Sequence, residues 1–113
     1  MFRLLVLALA VCVSASSFGF GQVSARVLSV RIDQDGRGMV LFDQPVSGEP
    51  ATCRDSAYAN ALAFDANTPG GKAIMDLALA TKANGFALYA VGLGTCNIYG
   101  GNGAEDWDYG VMQ

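Results

Sequence analysis

Histidine is absent from the chain. With it go the general base of Ser-His-Asp and Cys-His catalysis and the commonest nitrogen ligand of zinc. Charge is sparse, at 15% of residues. Lysine and arginine are nowhere clustered, which argues against nucleic acid and anionic membrane surfaces as partners. No apolar run reaches the roughly 20 residues that a membrane-spanning helix needs. Asp33-Gln34-Asp35-Gly36-Arg37 opens like a calcium loop, but Arg37 and Gln44 stand where the loop needs an oxygen ligand and a glutamate. Neither a metal nor an organic cofactor is expected.

What is present begins with an export pattern. Met1-Phe2-Arg3 carries one positive charge and is followed by the apolar run Leu4 to Val13 and the small residues Ser14-Ala15-Ser16-Ser17. This is the order of a secretory signal. Val13-Ser14-Ala15 and Val23-Ser24-Ala25 both suit a signal peptidase. The second is preferred, giving a signal peptide over 1–25 and one domain over 26–113. Leu9-Ala10-Val11-Cys12 is a poor lipoprotein motif because Val11 is bulky. Cys12 leaves with the signal, so the remaining thiols, Cys53 and Cys96, are expected to form a disulfide in a secreted or periplasmic protein. Without Arg3 the chain has six basic and ten acidic residues, a net charge of −4. A domain this small has a thin core.

Leu28, Val30 and Ile32 alternate with polar residues, as in a half-buried strand. Asp35-Gly36 then predicts a turn into a second strand at Gly38 to Asp43. A breaker-rich loop, Gln44 to Ser56, precedes a short strand at Leu62 to Asp65. Thr68 and Pro69 open a helix and Gly85 closes it, with Ile74, Leu77, Ala78 and Thr81 on its inner face. Strands at Phe86 to Leu93 and Trp107 to Met112 complete the order β-β-β-α-β-β. That order predicts a mainly β fold: a five-stranded, OB-fold-like Greek-key barrel with one helix between strands three and four. Val30, Ile32, Val40, Phe42, Phe64, Leu88 and Ala90 are its expected filling.

The segment Tyr99 to Tyr109 holds the candidate binding residues Tyr99, Asn102, Glu105, Asp106, Trp107, Asp108 and Tyr109. Aromatic rings beside carboxylates and amides suit a glycan or a polar protein patch. The alternative is a glycine-rich loop with Trp107 packed over the barrel end. Glu105, Asp106 and Asp108 also supply paired carboxylates, but so small a shell seldom builds a catalytic cleft, and no enzymatic activity is expected. Met75, Leu79 and Ala83 are read onto the outer helix face and are candidate contacts of a homo-oligomer, a pentamer.

Cys53, Ala63-Phe64-Asp65, Gly71-Lys72-Ala73, Ala80, Gly85, Val91-Gly92-Leu93-Gly94-Thr95-Cys96 and Glu105 together resemble small secreted bacterial proteins similar to the B subunit of subtilase cytotoxin. The resemblance runs from about Arg26 to Val111 and rests on structural residues. It implies an OB-fold, a ring of five subunits and binding of cell-surface glycans ending in sialic acid. No sugar-contacting residue is carried over. The expected function is therefore non-enzymatic binding of a glycan. The runner-up is a small exported inhibitor or interaction module that presents the Gly101–Trp107 loop.

Overall fold

The computed structural model describes residues 19–113; the run Leu4–Val13 and Cys12 lie outside the described residues. Nine elements follow in order: strand β1 (Gly21–Ile32), β2 (Arg37–Phe42), β3 (Ser47–Gly48), a 3-10 turn (Ser56–Tyr58), β4 (Ala61–Asp65), helix α1 (Pro69–Asn84), β5 (Ala87–Gly92), a second 3-10 turn (Gly100–Asn102) and β6 (Glu105–Met112). Among the described residues the fold is mainly β with one α-helix.

Strand pairing returns to its own first strand. β1 is long enough to serve three neighbours: Gly21 and Gln22 pair with β3, Gln22 to Arg26 with β5, and Val27 to Ile32 with β2. β2 pairs with β4, β4 runs parallel to β6, and β6 pairs with β5. The turn into β2 needs Gly36, whose φ is +91°. Helix α1 lies between β4 and β5. Thr68 caps it by accepting from the Gly71 N–H at 2.9 Å, and Gly85 ends it in the left-handed region.

Three expectations are corrected. The first strand starts at Gly21 rather than Arg26, so a cut after Ala25 would divide β1 and remove the buried Val23 and Ala25. The side-chain parity also changes along β1. Val23, Ala25 and Val27 face inward, and a register shift between Val27 and Ser29 then turns Leu28 and Ser29 both outward. Past the shift Val30 turns back toward the core and packs at its margin, whereas Ile32, the last residue of the strand, is exposed. The main core joins Val23, Ala25 and Val27 to Val40, Phe42, Val46, Leu62, Phe64, Leu88, Ala90 and Trp107, with Ala78 of the helix and the partly buried Ile74, Met75 and Leu77 packed against it. Met75 is thus not an outer residue: it sits one turn from Gly71 and beside Ala78 on the buried stripe. Leu79 and Ala83 are exposed.

Cys53 and Cys96 are joined, with a Cα–Cα distance of 6.1 Å and a sequence separation of 43. The bond ties the segment after β3 to the β5–β6 loop. In the chain-entropy model a loop of that length contributes about 4 kcal/mol. Replacing both cysteines by alanine is expected to lower the stability read by urea denaturation by about that amount; an unchanged midpoint would refute it. No described helix is long and apolar enough to cross a membrane.

Candidate functional site

The β1–β2 hairpin carries Arg31 and Asp33 on one face, because strand side chains repeat with period two. Arg37 opens β2 on the same side. Tyr99, from the β5–β6 loop, reaches across: its hydroxyl donates to Asp33 Oδ2 at 2.5 Å, and its ring lies 4.7 Å from the Arg37 guanidinium carbon and 5.7 Å from that of Arg31. Arg31 meets Asp33 through Nε at 2.8 Å and donates from Nη1 to Tyr58 Oη at 3.0 Å. Arg37 donates from Nε to Asp35 Oδ2 at 2.6 Å and from Nη1 to the Ile98 carbonyl at 3.2 Å. Two guanidiniums therefore lie within cation–π distance of one aromatic ring. The arginine side chains keep 44% and 40% of their surface exposed, so N–H groups remain free for a ligand.

The loop that delivers Tyr99 is held from below. Asp106 is buried and accepts from Thr95 Oγ1 at 2.6 Å, Asn97 N–H at 2.7 Å and Ile98 N–H at 3.0 Å. The disulfide fixes Cys96 between them. Asp55 N–H donates to the Gly103 carbonyl at 2.8 Å at the far end of the loop.

Hydrogen bonds from Tyr99 and then Arg31 hold the Asp33 carboxyl below its ordinary value. Partial burial, then the same bond to Asp33, pushes the Tyr99 hydroxyl above its own. Asp33 therefore contributes stability that is complete above its unfolded value of 3.8 and lost as pH falls through the lower folded value. The Asp33 carboxyl carbon, followed by NMR, is expected to titrate below that value in the native protein and to move up toward it in Tyr99→Phe. A native midpoint at or above 3.8 would contradict the contact.

The residues of the Tyr99–Tyr109 segment part company. Tyr99 joins the hairpin, and Asn102 is exposed on the 3-10 turn of the same loop. Glu105, Asp106 and Trp107 are buried and unavailable to a ligand, a correction to the reading of one continuous patch. Glu105 accepts from the N–H groups of Gly21 at 2.8 Å, Ala51 at 2.5 Å and Gly94 at 3.2 Å. Gly92 beside it has no room for a Cβ, which would overlap that carboxylate. Trp107 stacks on Phe42 at 6.1 Å between ring centres, the packed alternative of the sequence reading. Asp108 and Tyr109 are exposed but line a different depression, with Phe20 and Leu93.

Arg31, Asp33, Arg37 and Tyr58 escaped the sequence reading. The signal available was the alternation Arg31-x-Asp33-x-Asp35-x-Arg37 through a hairpin, which sets charged groups along one edge of the turn. Among the described residues no three acidic or cysteine side chains gather as a metal site. Compared with family models, characterised proteins and solved structures, the chain matches none.

Proposed function

We propose that this chain is an exported, non-enzymatic binding module whose ligand is a glycan, held at the Arg31–Asp33–Arg37–Tyr58–Tyr99 cluster. The observation that carries the reading is a pair of half-exposed guanidiniums with unused donors gathered at the Tyr99 ring. Fork-shaped donors take the hydroxyl or acid oxygens of a sugar, and the partly exposed Tyr58 and Tyr99 beside them offer apolar surface to its ring. The closed circuit β1-β2-β4-β6-β5-β1, with α1 between β4 and β5, supports an OB-fold-like barrel. In such barrels the loops joining the first two and last two strands, with the adjoining sheet face, hold oligosaccharides or oligonucleotides. Those two loops meet here through the Tyr99–Asp33 and Arg37–Ile98 bonds. The sparse basic charge favours the sugar.

The joined cysteines support export, and β1 favours signal cleavage after Ala15. An inhibitor inserting Gly101–Trp107 is the weaker reading, since Gly103 to Trp107 are buried. Likewise, Leu79 and Ala83 alone offer far less than the roughly 800 Å² per partner of a stable interface, so they do not support the ring of five. On a glycan array that includes acidic and neutral oligosaccharides, the protein is expected to bind, and Arg37→Ala and Tyr99→Ala to reduce binding at least about tenfold, roughly the loss of one charged hydrogen bond. A silent array, or binding unchanged in both variants with the fold intact by circular dichroism, would overturn the proposal.

A further inference from the structure

A second surface lies on the outer side of β5 and β6, away from the core. Phe20, Leu93 and Tyr109 are 45%, 53% and 50% exposed, and with Val91, Gly92 and Asp108 they line one depression of about 200 Å³. Three large apolar side chains gathered at one place are more than the scattered exposure usual on a surface. The depression is built, too. The Glu49 N–H donates to the Phe20 carbonyl at 3.1 Å, the Leu93 N–H donates to the Asp106 carbonyl at 2.9 Å, and Gly94 packs directly on the Gly19 backbone.

Its size and charge narrow the occupant. Pockets for free small ligands hold about 300–1,000 Å³, so this one suits a single side chain delivered by a larger partner. Asp108 makes no side-chain hydrogen bond or ion pair among the described residues, no basic residue lines the depression, and Glu49 passes beside Gly19 next to Phe20. An apolar cup with a free carboxylate at its rim matches a side chain whose stem is apolar and whose head is cationic. Lysine and arginine have that form. The net negative charge of the chain steers such a partner in.

We infer that this depression docks a basic, apolar peptide segment of another protein, with a lysine or arginine stem lying over Leu93 and Tyr109 and its head on Asp108. The site is separate from the Tyr99 cluster and is tested separately. A labelled peptide alternating leucine and lysine is titrated into the purified protein, beside the same peptide with glutamate for lysine. The lysine peptide is expected to bind with a Kd on the micromolar scale and the glutamate peptide at least about tenfold more weakly. Asp108→Asn and Leu93→Ser should each weaken the lysine peptide by about tenfold, while Tyr99→Ala leaves it unchanged. Asp108 is exposed and free of internal bonds, so its variant keeps the native melting temperature. Equal binding of both peptides, or no effect of Asp108→Asn, would overturn the inference. So would self-association abolished by Leu93→Ser without peptide binding, since the occupant would then be a second copy of the chain.

Discussion

A chain beginning at Arg26 is expected to remain unfolded, whereas one beginning at Gly19 folds. The difference is the first half of β1. Val23 and Ala25 are 3% and 6% exposed, and burying a valine side chain alone is worth about 1.5–3 kcal/mol. Gln22, Val23, Ser24 and Ala25 form the ladder with Val91, Ala90, Tyr89 and Leu88. Without them β5 keeps a single neighbour, the circuit of strands opens, and Glu105 loses its bond from Gly21. A domain of this size has roughly 5 kcal/mol in total, which that combination exhausts. Circular dichroism and thermal melting of the two chains check this. In exported material, N-terminal sequencing is expected to read Ser16; a cooperatively folded protein starting at Arg26 would contradict the assignment of β1.

Glu105→Ala is expected to destabilise nearly as much. The carboxylate is fully buried and accepts three backbone N–H groups, from the start of β1, from the segment after β3 and from the β5–β6 loop. An unsatisfied buried donor costs about 1–3 kcal/mol, so three of them, with the cavity left behind, cost roughly 4–6 kcal/mol. Glu105→Gln keeps the shape but sets an NH2 group against backbone donors, and should lose about 2–3 kcal/mol. Urea denaturation gives the value for Glu105→Gln, and Glu105→Ala is expected to be largely unfolded before urea is added. A change below about 1 kcal/mol in Glu105→Ala, within the ordinary scatter of surface substitutions, would mean that the three bonds contribute nothing net.

Where the local chemistry was unambiguous, the sequence could be read directly. Thr68, Pro69 and Gly85 each have a stereochemical reason to begin or end a helix, and α1 spans Pro69–Asn84 as their positions predict. The turn at Asp35-Gly36 follows from the same kind of local rule. The N-terminal half of β1 failed because Val23-Ser24-Ala25 satisfies two demands at once: small residues at cleavage-site spacing and alternation suited to a strand. Only the partner strand β5 decides between them. The register shift at Leu28 is likewise invisible without β2, yet it reverses which residues face the core. Within Glu105-Asp106-Trp107-Asp108-Tyr109 nothing local distinguishes an acid that holds backbone donors from one that faces solvent. The Arg31–Tyr99 cluster joins segments far apart in sequence, so only the closure of the strands brings it together.

The most direct test of glycan binding at this cluster is an amide NMR titration with the oligosaccharide that binds best on the array. The expected result is that the amides of Arg31, Asp33, Arg37, Ile98 and Tyr99 shift together with one dissociation constant, and that those of Phe20, Leu93 and Tyr109 stay in place. Shifts confined to Phe20, Leu93 and Tyr109, or none at saturating sugar, would contradict it.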